Sequence, residues 1–338
     1  MTTLNCNFKC SYCFEKRKNN FLTKENQEGI LQFIQNNSSK FKKVHVDWYG
    51  GEPLLGKNVI SKLSKEIIDV CQKEKLIYDA SITTNGYLLN TFSECEYEKY
   101  HIKSIQVTLD GDKDVHDSRR ILMNGEGTFT KIVENLKKVP QGIEINLRVN
   151  VDIDNVDRVE KLFMRLKKES LTRCILSIKS VVSSKTNPCE DKMLESEMFT
   201  KKLLPLYQKA RAIGFRTVLF NPLMYFKNEF CIVDYEHQYI VAPDGGVFKC
   251  GESYEEDDPS KIGSLNSNGK MDLNLIAVSN WMKDPFADEK CCNCKLLPLC
   301  WGGCQLKRNV KKTSPCYTEY KDNFDDILRM YYEMKIGK

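Results

Sequence analysis

From about residue 20 to residue 220 the chain alternates helical and extended patterns of apolar and polar residues, the rhythm of a parallel α/β fold whose helices cross back over the sheet. Residues 23–35 read as a helix opened by a threonine cap at Thr23, and residues 44–48 as a strand ending at Gly50-Gly51. The unit repeats. Residues 57–73 are helical, 80–84 form a strand ending at Asn85-Gly86, and 105–109 form a strand ending at Asp110-Gly111. Further strands are expected at 143–151, 174–181 and near 215–220, separated by helices at 128–138, 156–168 and 194–212. Six strands are therefore predicted.

After Phe230 the character changes. Residues 238–249, with Pro243-Asp244-Gly245-Gly246 in the middle, read as a short hairpin. Helical stretches at about 273–282 and 317–335 flank a cysteine cluster between Cys291 and Cys304. A boundary near residue 225 divides the chain into residues 1–225 and 226–338. In parallel α/β sheets the ligand sits at the C-terminal ends of the strands. Here those ends carry Gly50-Gly51-Glu52-Pro53, Thr84-Asn85-Gly86 and Thr108-Leu109-Asp110-Gly111. Any one of them is explained as a turn that needs glycine; together, after three successive strands, they read as one site.

Composition narrows the chemistry. The 338 residues hold 51 Lys+Arg against 46 Asp+Glu, a net charge of +5 spread without a long basic block, so charge alone does not point to nucleic acid or a membrane surface. A hydrophobic share of 41% with 29% charged residues belongs to a folding chain, not a disordered one. No stretch approaches the roughly 18 apolar residues of a membrane span, and the first residues lack a signal peptide's apolar core. A cytoplasmic protein is expected. Fifteen cysteines against four histidines is the abnormal feature, and in a reducing compartment clustered thiols point to metal before disulfides.

Cys6-x3-Cys10-x2-Cys13 offers three thiolates within eight residues. Three ligands suit a 4Fe-4S cube with one iron left open for a small molecule; a partial zinc site and plain reduced cysteines are the alternatives. On these residues the chain resembles the radical SAM superfamily, whose Cx3CxφC signature stands here as Cys6-Asn7-Phe8-Lys9-Cys10-Ser11-Tyr12-Cys13. Gly50-Gly51-Glu52-Pro53 is similar to the segment that contacts the methionine amino group of S-adenosylmethionine in that family, an ammonium needing carbonyl and carboxylate acceptors. Thr108-Leu109-Asp110-Gly111 followed by His116-Asp117-Ser118-Arg119-Arg120 is similar to a run of its peptide- and protein-modifying branch. The resemblance implies that Thr108 touches the ligand and that Arg120 holds its carboxylate with a planar fork. It places Tyr12, Gly50, Gly51, Glu52, Thr84, Asn85, Thr108, Asp110 and Arg120 around the cofactor, in a partial (β/α)6 TIM-like barrel. Family members usually carry a first barrel strand before the cysteine loop. Only five residues precede Cys6, so that strand is expected to be shortened or vestigial.

The distal cysteines, Cys231-x13-Gly245-x4-Cys250 and Cys291-x2-Cys294-x5-Cys300-x3-Cys304 with Cys316, resemble the SPASM extension of radical SAM enzymes at all seven positions. A zinc ribbon is the competing reading, although seven thiolates exceed one zinc site. The resemblance implies one auxiliary 4Fe-4S cluster on Cys291, Cys294, Cys300 and Cys316, and another on Cys231, Cys250 and Cys304. The latter is one ligand short, a place for Cys189, His237, solvent or a substrate thiolate. Cys292 falls outside the spacing, and Cys71, Cys95 and Cys174 are scattered.

Three clusters and S-adenosylmethionine imply a 5′-deoxyadenosyl radical that takes a hydrogen atom from a peptide or protein, with auxiliary clusters accepting the remaining electron. The expected product is a thioether or carbon–carbon crosslink in a ribosomally made precursor. An external flavodoxin- or ferredoxin-type electron donor and a separate leader-binding protein are the implied partners. An anaerobic sulfatase maturase, which oxidises Cys or Ser to formylglycine, is the alternative; such enzymes have an aspartate just after the cysteine equivalent to Cys250. Here Gly251 and then Glu252 follow, so that base is absent or shifted. A non-catalytic iron–sulfur scaffold is the third reading, though it has no use for Gly50-Gly51-Glu52-Pro53 or Arg120.

Overall fold

The computed structural model describes residues 1–181, 190–195, 198–218, 231–252, 260–282, 284–310, 312, 314, 316 and 321–336. Cys189 and the expected boundary at 225 lie outside them, as do the ends of two expected elements at 219–220 and 317–320. The cysteine loop contributes a short strand β1 (Phe8–Cys10), after which helix α1 (Lys24–Asn36) begins; the Thr23 side chain caps it by accepting from the Asn26 amide. Then follow β2 (Lys43–Trp48), α2 (Lys57–Lys73), β3 (Ile77–Thr84), α3 (Glu94–Lys99), β4 (Ile102–Thr108), α4 (Lys113–Arg119), β5 (Arg120–Leu122), α5 (Phe129–Lys137), β6 (Glu144–Val151), α6 (Val159–Lys168), β7 (Ile175–Ser180) and β8 (Arg216–Thr217). Strands β2, β3, β4, β6, β7 and β8 form one parallel sheet in that order, which does not close on itself. All six expected strands are present, in a partial barrel.

Alternation along each strand decides which face meets the helices. Ala80, Ile82 and Thr84 on β3, and Leu147 and Val149 on β6, are buried; the residues between them are more open. On α2 the matching stripe is Ile60, Leu63, Ile67 and Cys71, spaced by three or four residues and almost fully buried. Each such side chain removed from water contributes roughly 1.5–3 kcal/mol. Cys71 and Cys174 are core residues of this layer, whereas Cys95 and Cys292 are exposed. Two of the scattered cysteines thus have a packing role.

Residues 2–5 run alongside residues 49–52. The Thr2 amide donates to the Tyr49 carbonyl, Gly51 to Thr3 and Glu52 to Asn5, at 3.1, 3.0 and 2.8 Å, around an isolated parallel Thr3–Gly50 bridge. One bridge is what stands at the place of the expected first barrel strand. Beyond the barrel, the expected hairpin is half of a larger unit: β9 (Ile240–Val241), β10 (Gly246–Phe248), β11 (Lys261–Leu265) and β12 (Met271–Leu273) form an antiparallel four-stranded sheet. Helical segments at Leu275–Ser279 and Phe324–Ile336 match the two distal helices expected.

This distal unit packs on the barrel through two apolar contacts. Ile30 and Phe33 of α1 meet Val247, Ile262 and Leu265, while Leu4, Phe14 and Tyr49 meet Ile240, Ala242 and Phe248. The fit at α1 is close: a Cβ on Gly29 would lie 2.4 Å from the Asn266 carbonyl oxygen, and one on Gly269 would lie 2.3 Å from the Phe33 amide. The second contact sets the end of β10, two residues before Cys250, against Leu4 and Phe14, which flank the cysteine loop. Among the described residues no helix is long and apolar enough to cross a membrane.

Candidate functional site

The loop from Cys6 to Cys13 is held from both sides. Strand β1 pairs antiparallel with β5, setting Cys10 opposite Arg120, and the Ser11 amide donates to the Arg119 carbonyl at 2.9 Å. All three thiols are half-buried. Burial pushes Cys6 up to about 12 and Cys13 up to about 11, and it raises Cys10 despite the Arg120 guanidinium, which opposes the shift. As free thiols they are protonated, so metal binding would release protons.

Gly50 and Gly51 answer first to the chain rather than to a ligand. Gly50 has φ +142°, and a Cβ there would lie 2.2 Å from the Thr3 carbonyl oxygen; at Gly51 it would lie 2.4 Å from that of Asn5. Only glycine admits the segment that leads into the cysteine loop. Glu52 is fully buried, and its carboxylate accepts from the Leu54 amide at 3.0 Å, the Thr84 hydroxyl at 2.7 Å and the Asn85 amide at 2.7 Å. Burial raises its pKa and these donors pull it back. The side chain expected to meet an ammonium is thus committed to joining two strand ends. Asn85 passes the connection on, donating to the Asn7 side chain at 2.8 Å and lying 3.9 Å from the Cys6 sulfur.

Tyr12 joins the loop to the next two strands. Its hydroxyl donates to Asp110 at 2.5 Å and accepts from Arg120 Nη1 at 2.8 Å and from Asn150 Nδ2 at 3.1 Å. Asp110 also accepts from the Asn150 amide at 3.1 Å, and Arg119 bonds Asp152 at 2.7 Å. The Arg120 Nε is buried without a hydrogen-bond partner among the described residues, on the strand that faces Cys10. Thr108, partly buried at the end of β4, stands in the same group of strand ends. Asn150 and Asp152 are the residues that sequence reasoning missed, although they lie at the C-terminal end of β6, where the strand-end rule already looks.

His116 has a structural place in this network. Its Nδ1 accepts from the Asp110 amide at 3.3 Å, so Nε2 carries the proton and donates to Thr128 Oγ1 at 3.0 Å, and that hydroxyl donates to the Arg120 carbonyl at 2.6 Å. Burial, with Arg120 nearby, pushes its pKa down from 6.5 to about 3. The neutral ring favours the folded state fully above pH 6.5, and that advantage drains away as pH falls toward 3, at up to about 1.4 kcal/mol per unit. Acid unfolding of wild type should therefore be steep across that window, and His116→Gln should flatten it. Parallel curves for the two proteins, from urea unfolding at stepped pH, would contradict this.

The distal thiols separate into two groups. Cys291, Cys294, Cys300 and Cys316 line one cavity of about 380 Å³. Cys231 and Cys304 act electrostatically on Cys250, whose thiol burial pushes up to about 12. These are the two sets the spacing resemblance implied. Among the described residues, no three His, Cys, Asp or Glu side chains converge as a single ion would require. His237 packs edge-on against Phe41, with ring centroids 5.2 Å apart, and Cys292 donates to the Phe286 carbonyl at 3.1 Å.

Residues 1–166 match the sequence profile of the Radical SAM superfamily. The chain belongs to the radical SAM superfamily. It is thus an enzyme of that superfamily, whose members use S-adenosylmethionine with a 4Fe-4S cluster. The residues fit that pair: three thiols stand on one loop, and a buried guanidinium nitrogen of Arg120, on the strand opposite Cys10, has no hydrogen-bond partner among the described residues. Along its length this radical SAM chain is similar to the cysteine-type anaerobic sulfatase-maturating enzyme of Clostridium novyi (strain NT), 26% identical over 366 aligned positions covering 99% of this chain and 93% of the relative. A serine-type anaerobic sulfatase-maturating enzyme of Klebsiella aerogenes is 21% identical, covering 96% of this chain and 82% of that one. Its fold is shared with native anSMEcpe with bound AdoMet and Kp18Cys peptide, at a TM-score of 0.74 and 20% identity, covering 99% and 96% of the two chains.

Proposed function

We propose that this radical SAM enzyme oxidises a cysteine or serine side chain in a peptide or protein, the reaction type of the anaerobic sulfatase maturases, in preference to crosslinking a precursor peptide. The observation that carries the reading is likeness to those enzymes across both halves of the chain, where crosslinking had been the expectation from motifs alone. Three 4Fe-4S clusters are proposed: one on Cys6, Cys10 and Cys13, one on Cys291, Cys294, Cys300 and Cys316, and one on Cys231, Cys250 and Cys304. When bound, S-adenosylmethionine on the first cluster supplies the radical that takes a hydrogen atom from the substrate carbon, and the distal clusters supply an acceptor for the remaining electron.

The chain's own residues do the rest. Arg120 orients a carboxylate of the bound cofactor, supported by Tyr12, while Glu52 and Asn85 keep the cysteine loop in register with the strand ends. The substrate thiol or hydroxyl must give up a proton as the carbon–heteroatom double bond forms. Glu252 is the proposed acceptor. It is exposed, its amide donates to the Cys250 sulfur, and its charge acts on Tyr49, whose hydroxyl bonds Glu15 just past Cys13. A Cβ on Gly251 would meet only Ile240 at 3.6 Å and Tyr49 at 3.9 Å, so packing does not require glycine between Cys250 and this carboxylate. The shifted base is thus a glutamate one residue beyond the maturase aspartate, its longer arm making up the difference. An external one-electron donor of the flavodoxin or ferredoxin type is part of the proposal.

The test is anaerobic incubation of the reconstituted enzyme with dithionite, S-adenosylmethionine and matched Cys and Ser versions of a sulfatase-derived peptide, read by mass spectrometry. An aldehyde on one of them is expected, and Glu252→Gln should lower its formation about 100-fold or more while 5′-deoxyadenosine is still released. Release of 5′-deoxyadenosine with both peptides unchanged would defeat the substrate reading.

A further inference from the structure

Arg308 lies in a wide helical turn (Leu306–Val310) just after Cys304, yet its guanidinium reaches into the other thiol set. Nη2 donates to the Cys291 sulfur at 2.9 Å and to the Gly302 carbonyl at 2.9 Å, Nε to the same carbonyl at 3.2 Å, and Nη1 to the Asp288 carboxylate at 2.6 Å. The geometry is built rather than incidental. Trp301, Gly302 and Gly303 are three successive residues with positive φ, +46°, +83° and +77°, which turn the Gly302 carbonyl onto the fork. A Cβ on Gly302 would lie 2.8 Å from the Pro285 Cβ, so the close pass needs glycine. Asp288 and Cys291 line the four-thiol cavity together with Gly302. The Arg308 side chain is only 15% exposed, which keeps its charge weakly screened.

A cation and an N–H···S bond at a ligand sulfur favour the more negative, reduced state of an iron–sulfur cluster; hydrogen bonds to the sulfurs, net charge and exposure set the potential. We propose that Arg308 is a positioning residue that raises the reduction potential of the cluster held by Cys291, Cys294, Cys300 and Cys316, making that cluster the downhill sink for the electron leaving the substrate. The proposal rests on the reading of these four thiols as a cluster site and of the reaction as a net oxidation.

The test is an electron-paramagnetic-resonance redox titration of the reconstituted full chain, wild type against Arg308→Gln and Arg308→Lys, with iron content measured in parallel. In R308Q one midpoint should fall by about 59 mV or more, tenfold in a one-electron equilibrium, with iron unchanged and the other midpoints in place. R308K, which keeps the charge but not the fork, should shift the same midpoint by less. Unshifted midpoints in iron-replete R308Q would overturn the proposal. If R308Q loses iron, R308K decides: a smaller fall in its midpoint supports the proposal, and an unshifted midpoint or loss of the same iron assigns Arg308 to holding the loop and overturns it. The titration contains no substrate, so it can fail while the peptide reading stands, and the reverse.

Discussion

Replacing Cys10 with alanine should abolish 5′-deoxyadenosine formation while the distal iron stays in place. Cys10 sits opposite Arg120 in the β1–β5 pairing, and a backbone ladder of this kind survives the loss of a sulfur atom. A cube left with two protein ligands loses an anchoring corner and the geometry that presents one iron to S-adenosylmethionine. Iron should therefore fall from about twelve to about eight per chain, as one of three four-iron cubes is lost. Iron and sulfide assays beside chromatography of the nucleoside product read both parts. A Cys10→Ala protein that still cleaves S-adenosylmethionine would remove the N-terminal loop from the chemistry. Wild-type protein loading only about four irons would return the distal thiols to zinc.

Glu52→Ala should be the most destabilising single change in the barrel half, by about 3–5 kcal/mol. The reason is accounting of donors. The Leu54 amide, the Asn85 amide and the Thr84 hydroxyl all point at one buried carboxylate, and water cannot replace it at a residue with no exposed surface. Glu52→Gln retains an acceptor but turns an amide toward a donor, so an intermediate loss is expected. Urea unfolding of the metal-free proteins at neutral pH measures the difference. A change under about 1 kcal/mol would mean the strand ends are held by packing and that this carboxylate is free for a ligand after all.

Legibility differed by kind of feature. The six strands and the long crossing helices were readable because their apolar spacing is set locally: the stripe Ile60, Leu63, Ile67 and Cys71 is a property of the chain before it folds. Helices α3 and α4 were not read, being six and seven residues long and held by end caps, with the Asp112 side chain accepting from the Val115 amide at 3.2 Å. The four-stranded distal sheet was read only as a hairpin, since β12 is three residues long and owes its place to pairing with β11. The glycines carry a demand that spacing alone did not show: a Cβ on Gly50 or Gly51 would run into the Thr3 and Asn5 carbonyls, which only the folded chain brings there.

By itself the sequence determined which atoms are available: three thiols in one loop, seven in a distal array, and polar residues grouped at the ends of successive strands. Spacing carries that information because ligands on one loop can gather only if they are close along the chain. Only the tertiary structure decided what each group spends itself on. Glu52 turns inward to bind two strand ends, Tyr12 gathers Asp110, Asn150 and Arg120, and Arg308 crosses from one thiol set to the other. Those partners lie far apart along the chain or, like Arg308 and Cys291, on opposite sides of a loop, and hydrogen-bond direction is fixed by packing rather than by neighbours in sequence.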